Sequence, residues 1–172
     1  MREITLYTDG GVRRWGKSNT VSAFSYYIID KEETMLYGKV VLGITGNQAE
    51  MFGVLYGVQK VLETYGDNIS INIISDSAYI VDSYNLKRID MWKLNGWVAS
   101  NQEPVKNKII WQTLDKYIKQ FKECKFTKVK GHSGDYGNER VDTHLNEIMD
   151  MYDGRKNYWL NTRTMIVTQS IW

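Results

Sequence analysis

The hydrophobic period of this chain changes in a fixed order, and that order limits the fold more than composition does. Glu3–Thr8 alternates apolar and polar residues, Val21–Ile29 is dense in β-branched and aromatic ones, and Thr34–Gly43 runs into Val-Val-Leu. These are strand-length segments. After Asn47 the period becomes 3.6: Met51, Val54, Leu55, Val58, Val61, Leu62 and Tyr65 share one side of a helix that Gly66 closes. Ile69–Ile74 is then a short, nearly continuous apolar run, the pattern of a buried strand. Three strands on short connections predict an antiparallel meander.

The second half continues in the same style. Asp76–Ser83 reads as a short helix, Lys87–Ser100 as irregular, and Pro104–Phe121 as an amphipathic helix with Pro104 in its first turn. Lys125–Lys130 is a last strand, Gly131–Gly137 a glycine-rich loop, and Asn138–Tyr152 a final helix capped by Asn138. The expectation is an α/β domain, one mixed sheet with helices on its faces. A chain of 172 residues fits one such domain. No apolar run approaches the ~18 residues of a membrane span, and the start has no secretory h-region. Cys124 is the only cysteine, which excludes an internal disulfide and a multi-cysteine zinc site. The reading is a cytoplasmic monomer without membrane contact, in which any metal is held by carboxylates.

Net charge is +2, but Lys87–Lys130 carries eleven Lys/Arg against four Asp/Glu. With Trp92, Trp97 and Trp111 inside it, this segment suits a nucleic-acid backbone. Lys116, Lys119, Lys122 and Lys125 read more simply as a solvated helix face.

Four acids fall where stability explains them poorly. Asp9 follows the first strand in Thr8-Asp9-Gly10-Gly11, and Asp76 ends the buried strand. Glu50 lies at the edge of its helix's apolar stripe, in line with Val54, Gly57 and Val61, where Gly53 and Gly57 permit close approach to the sheet. Asp142 holds the matching place beside Val141, Leu145, Ile148 and Met149. Each acid has an ordinary reading: a turn residue, the N3 partner of an Asn47 cap, a helix N-cap, a dipole-stabilising acid. Their convergence does not. Clustered carboxylates repel unless a cation neutralises them. Oxygen ligands select a hard cation such as Mg²⁺, and a pair of such ions serves phosphodiester displacement. His132, on the glycine-rich loop, is suited to carry a proton to a leaving group. His144 reads as a surface residue.

These residues resemble type 1 ribonuclease H over roughly residues 1–152. The most specific part is Val129-Lys130-Gly131-His132-Ser133-Gly134 followed by Gly137-Asn138-Glu139-Arg140-Val141-Asp142. Thr8-Asp9-Gly10, Asn47-Gln48-Ala49-Glu50 and Ser75-Asp76-Ser77 precede it in the family's order. The resemblance implies a ribonuclease H-like fold, a five-stranded mixed β-sheet with antiparallel strands 1–3 and then parallel strands. It implies that Asp9, Glu50, Asp76 and Asp142 bind two Mg²⁺, with Mn²⁺ as a substitute, and that His132 assists turnover. The implied partner is an RNA/DNA hybrid, cut in its RNA strand to leave 5′-phosphate and 3′-hydroxyl. By the same mapping Asn47 reads the 2′-hydroxyl side, Thr45 and Asn107 hold a DNA phosphate, and Tyr79, Trp92 and Ser100 line the DNA channel. Trp92–Trp97 through Pro104–Asn107 looks like the family's basic protrusion.

Several positions depart from the family pattern. Val12-Arg13-Arg14-Trp15-Gly16-Lys17-Ser18-Asn19 replaces the usual glycine- and proline-rich turn, leaving Arg13, Arg14 and Lys17 as candidates for phosphate contacts of another kind. Gly43 stands where some members have arginine, Gly46 where many have asparagine, and Lys87 or Arg88 where tryptophan is expected. Residues 153–172 extend past the family core, and Thr164–Thr168 reads as an added strand or a docking tail. The rival readings are a non-catalytic hybrid-binding domain, a DNA-processing nuclease of the wider superfamily, and a domain of a reverse transcriptase polyprotein. No acid is missing, which disfavours the first. The glycine-histidine loop and the protrusion disfavour the second. Met1 and the extension favour a stand-alone protein over the third.

Overall fold

The computed structural model describes residues 1–31, 33–154 and the backbone of 164–167. Strands β1 (Arg2–Arg13), β2 (Val21–Asp30) and β3 (Glu33–Val41) form the antiparallel meander. Helix α1 (Gly46–Tyr65) crosses to β4 (Ile69–Ser75), which pairs parallel with β1. Helices α2 (Ala78–Asn85), α3 (Arg88–Leu94) and α4 (Lys108–Ile118) lead to β5 (Glu123–Lys128), parallel to β4. Helix α5 (Tyr136–Tyr152) follows. The expected five strands are joined at the far edge by a sixth, β6 (Thr164–Val167), parallel to β3, so the order is β5-β4-β1-β2-β3-β6. The added-strand reading of the extension therefore holds for Thr164–Val167, and Thr168 lies outside the described residues.

Burial on both sheet faces fixes the layers. The larger core, with Leu6, Phe24, Ile71 and Ile73, packs under α1, α2 and α4. A smaller one joins Val21, Ala23 and Val40 to Leu145, Ile148 and Met149 of α5. Central strands buried on both sides lose the alternation of a half-exposed sheet, as β2 shows by being buried along almost all its length.

Four helix starts differ from the sequence reading. Thr45, not Asn47, caps α1: its side chain accepts from the Gln48 N–H while Gln48 Oε1 accepts from the Thr45 N–H. That reciprocal pair satisfies two otherwise unpaired donors, and it leaves Glu50 out of the cap. Ser77, not Asp76, caps α2. Asp135, not Asn138, caps α5, and Asn138 is buried instead. Pro104 forms an isolated bridge with Val98, so α4 begins only after Asn107, whose φ is 60°. Lys87–Ser100 contains α3 where an irregular stretch was expected. Lys116, Lys122 and Lys125 are exposed, and so is Lys119, which pairs with Asp115 at 3.3 Å. The helix-face reading holds for Lys116 and the capping Lys119; Lys122 follows α4 and Lys125 lies in β5.

His144 is the clearest correction. It is buried, and its Nδ1 lies 2.8 Å from Ser25 Oγ. It stands three residues after Val141 and four before Ile148, inside the apolar stripe of α5. Gly38 makes room across the sheet, since a Cβ there would sit 2.9 Å from His144 Cε1.

Candidate active site

Register brings the first two acids together. Tyr7 pairs with Ile74 across the parallel β1–β4 ladder, so two residues further on Asp9 lies beside Asp76. The third arrives because α1 presses unusually close to the sheet. A Cβ on Gly10 would sit 2.3 Å from the backbone of Ala49 and Glu50, one on Gly53 3.0 Å from the Asp9 carbonyl, and one on Gly57 2.8 Å from Leu6. Only glycine permits such contact. Carboxylate oxygens of Asp9, Glu50 and Asp76 consequently lie within 4.8 Å of one another.

The electrostatics are those of an uncompensated acid cluster. Burial, then the charges of Asp76 and Asp142, push the Asp9 carboxyl up to about 7, although the Gly10 N–H donates to it at 2.9 Å. Glu50 is raised well above its ordinary range by burial and by Asp9 and Asp76. Asp76 is raised by burial and Asp142, and held back by its hydrogen bonds and the nearby His132. Glu50 Oε2 is buried with no hydrogen-bond partner. A divalent cation answers each of these deficits, because it favours the ionised carboxylates and gives the orphan oxygen a ligand. The donor set is all oxygen, so the residues fit a hard cation.

Asp142 is half-buried on α5 and outside the tight group of three, but close enough for its charge to act on both Asp9 and Asp76. His132 is exposed on the loop before α5, in the left-handed region at φ 56°. A Cβ on neighbouring Gly131 would lie 3.1 Å from Asp76 Oδ2, so this loop rests on the acid. Tyr7 packs against Gly137 in the first turn of α5, and burial, then the nearby Asp135 charge, raise its phenol above the ordinary range.

The residues expected to touch substrate form a connected series. Asn47 is exposed in the first turn of α1, and Thr45 caps that helix. Gln48 Nε2 donates to Asn107 Oδ1 at 3.2 Å, and Asn107 Nδ2 donates to Tyr79 Oη at 3.1 Å. Trp111 Nε1 donates to the same phenol at 3.0 Å. Trp92 packs between Trp111 and Trp97, at 5.7 and 6.2 Å between ring centroids. Ser100 shares with Trp92 a cleft of about 600 Å³. Gln48 was missed as a member of this series, and Trp111, expected to face nucleic acid, is buried in the core and reaches the series only through its Nε1. The Thr45-x-x-Gln48 spacing of a capping box was the available signal for Gln48.

Two expected phosphate ligands are engaged elsewhere. Arg13 bonds Asp150 and Asn146 of α5, and Arg14 bonds Asp153. Both guanidinium groups fasten the β1–β2 turn to α5, while Lys17 is exposed.

The sequence model of the RNase H family matches residues 1–149. A ribonuclease H of Clostridium botulinum is 36% identical over 153 residues, covering 89% of this chain and 99% of that protein. One from Ruthia magnifica is 36% identical over 157 residues, covering 87% and 97%. Among solved structures, LC9-RNase H1, described as a type 1 RNase H with the type 2 active-site motif, superposes with a TM-score of 0.74 at 15% identity, over 86% of this chain and 72% of that one. The RNase H domain of PFV gives 0.70 at 22%, over 86% and 94%. The foamy viral protease-reverse transcriptase in complex with RNA/DNA hybrid gives 0.72 at 18%, over 85% of this chain and 20% of that one. The structural likenesses speak for the fold, and the family match and the curated relatives for descent. This chain belongs to the ribonuclease H family of endoribonucleases.

Proposed function

We propose that the protein hydrolyses the RNA strand of RNA/DNA hybrids with two Mg²⁺ held by Asp9, Glu50, Asp76 and Asp142, leaving 5′-phosphate and 3′-hydroxyl ends. The observation that carries this reading is the close group of Asp9, Glu50 and Asp76, with a buried Glu50 oxygen that has no partner. When bound, such a pair of ions activates the attacking water and stabilises the departing oxygen. Mn²⁺ meets the same oxygen donors.

The chain's own groups do the rest. His132 delivers a proton to the departing 3′-oxygen or eases product departure, from a loop that rests on Asp76. Asn47 reads the 2′-hydroxyl, the group that tells RNA from DNA. Thr45 and Asn107 hold a DNA phosphate, and Tyr79, Trp92 and Ser100 line the channel for the DNA strand. The hydrogen bonds from Thr45 through Gln48 and Asn107 to Tyr79 support one continuous surface running from the acids to the basic segment. Residues 1–152 form the catalytic domain of a monomer in this reading, and 153–172 are an extension past it, of which Thr164–Val167 adds an edge strand.

Cleavage of end-labelled duplexes in Mg²⁺ tests the reading. One sequence is supplied as RNA/DNA, RNA/RNA, DNA/DNA and single-stranded RNA, with Asp76→Asn as control. Cutting confined to the RNA of the hybrid, abolished by Asp76→Asn with hybrid binding retained, is the expected result. A hybrid bound but uncut in both Mg²⁺ and Mn²⁺ points to a binding module, and cut DNA to a DNA-processing nuclease.

A further inference from the structure

Asp142 stands outside the close group of three acids, and a separate chain of polar contacts reaches its carboxylate. Asn146, one turn along α5, donates from Nδ2 to the Asp142 carbonyl at 2.9 Å and to Asp142 Oδ1 at 3.4 Å. The same amide's oxygen accepts from Arg13 Nη2 at 2.8 Å. Arg13 is in turn fixed by Asp150 at 2.6 Å, by the Asn146 carbonyl at 3.3 Å and by Asp153 at 3.5 Å. We propose that Arg13, acting through the Asn146 amide, is a positioning residue for Asp142 and so sets how tightly the site holds its divalent ions; this rests on the reading of Asp142 as a metal-binding acid.

The geometry gives each contact a defined job. An asparagine amide has an acceptor end and a donor end, and only one orientation offers nitrogen to Asp142. A guanidinium can only donate, so its presence at the Asn146 oxygen selects that orientation. Asp142, Asn146 and Asp150 follow one another at four-residue intervals and form one ridge of α5. Along β1, alternation sends Tyr7, Gly11 and Arg13 to the α5 side, where they meet Gly137, Leu145 and Asn146. One strand therefore carries both Asp9, a member of the close group, and the anchor for the acid outside it. Because a strand is stiff, it fixes the offset between the two. The charges of Arg13 and Arg14 are matched by Asp150 and Asp153, so the anchor acts by direction and not by adding a stray cation.

Outer contacts of this kind matter to metal sites: losing one typically costs 10–100-fold in affinity or activity. A merely structural fastening predicts something else. It predicts lower thermal stability with unchanged metal binding, and Arg14 supplies that comparison, since it ties the same turn to Asp153 without touching Asn146.

The test measures Mn²⁺ binding to the substrate-free protein, from the electron paramagnetic resonance of free ion, beside the Mg²⁺ dependence of hybrid cleavage. Variants are Asn146→Ala, Arg13→Met, Arg13→Lys, Arg14→Met and Asp142→Asn. Asn146→Ala and Arg13→Met are expected to weaken Mn²⁺ binding and raise half-saturating Mg²⁺ by about 10-fold, with KM for hybrid at saturating Mg²⁺ unchanged. Arg13→Lys, which retains a donor, recovers part of the loss. Arg14→Met lowers the melting temperature and leaves metal dependence at the wild-type value. If Asp142→Asn is inactive while Asn146→Ala and Arg13→Met match wild type in both assays, the positioning role is overturned and the functional reading stands. Equal shifts in Arg14→Met and Arg13→Met also overturn it, because loosening of the turn is then sufficient. If Asp142→Asn binds Mn²⁺ and cleaves like wild type, the Asp142 carboxylate is not needed to hold the ions, and the positioning role falls together with the place of Asp142 in the functional reading, while hybrid cleavage itself stands.

Discussion

Replacing Asp9 by asparagine should stabilise the metal-free protein at neutral and alkaline pH, although it removes a group from the active site. Asp9 titrates near 7 in the fold against 3.8 for an unperturbed side chain. The folded state thus holds its proton where the unfolded chain has lost it. By linkage, stability is fully present below the unfolded value and is lost as pH rises through the folded one. Each tenfold difference in proton affinity is about 1.4 kcal/mol. The whole loss is then about 4 kcal/mol by pH 8, of which about 2.5 kcal/mol falls between pH 5 and pH 8. Asparagine keeps the shape, still accepts the Gly10 N–H and does not titrate. Thermal unfolding of both proteins in EDTA, followed by circular dichroism from pH 5 to 8.5, reads the difference directly. The melting temperature of Asp9→Asn should gain on wild type by about 8 °C over that interval, level off above pH 8, and lose the advantage in millimolar Mg²⁺. A gap between the two proteins that does not change with pH would refute the reasoning, because it would mean that Asp9 is ionised throughout without strain.

Other consequences are as specific. Mg²⁺ itself should raise the wild-type melting temperature: ten times Kd gives about 1.4 kcal/mol, about 4 °C in a domain of this size, and more at pH 8 than at pH 6, where protons compete for the carboxylates. Gly10→Ala should destabilise by about 3 kcal/mol or more in urea unfolding, since its Cβ meets α1 backbone at 2.3 Å; a loss under 1 kcal/mol would mean the helix moves away freely. Asn107→Ala should raise KM for hybrid about 10-fold at nearly constant kcat, the signature of a ground-state phosphate contact. A fall in kcat alone would remove Asn107 from binding.

The acids were legible in the sequence because each lies on or beside an element whose period is plain. Asp76 follows β4 directly, and register sets it beside Asp9, which lies within β1 opposite Ser25 and not after the strand as the alternation suggests. Glu50 lies near the start of a helix whose glycines announce contact with the sheet. Local signals misled where two were in competition. Thr45-x-x-Gln48 and Asn47-x-x-Glu50 both have capping-box spacing, and the cap goes to Thr45, leaving the Glu50 carboxylate for the acid cluster. Helix α3 carries no side-chain cap, its boundary residue Lys87 lying in the left-handed region, so no start signal existed to be read. His144 lies nearly opposite Asp142 on the helix, which suggests a surface place, but its spacing from Val141 and Ile148, the stripe that decides burial, puts it inside. The role of Arg13 lay beyond any local pattern. An arginine in a turn looks like a phosphate ligand until the fold places Asn146 and Asp150, more than 130 residues away in sequence, against its guanidinium. Long-range polar pairing leaves no periodic trace, because hydrogen bonds between side chains constrain direction at two points and nothing between. The positions that periodicity reveals are those that build the site. Those that aim it, such as the Arg13–Asn146 contact, become visible only when β1 and α5 are packed together.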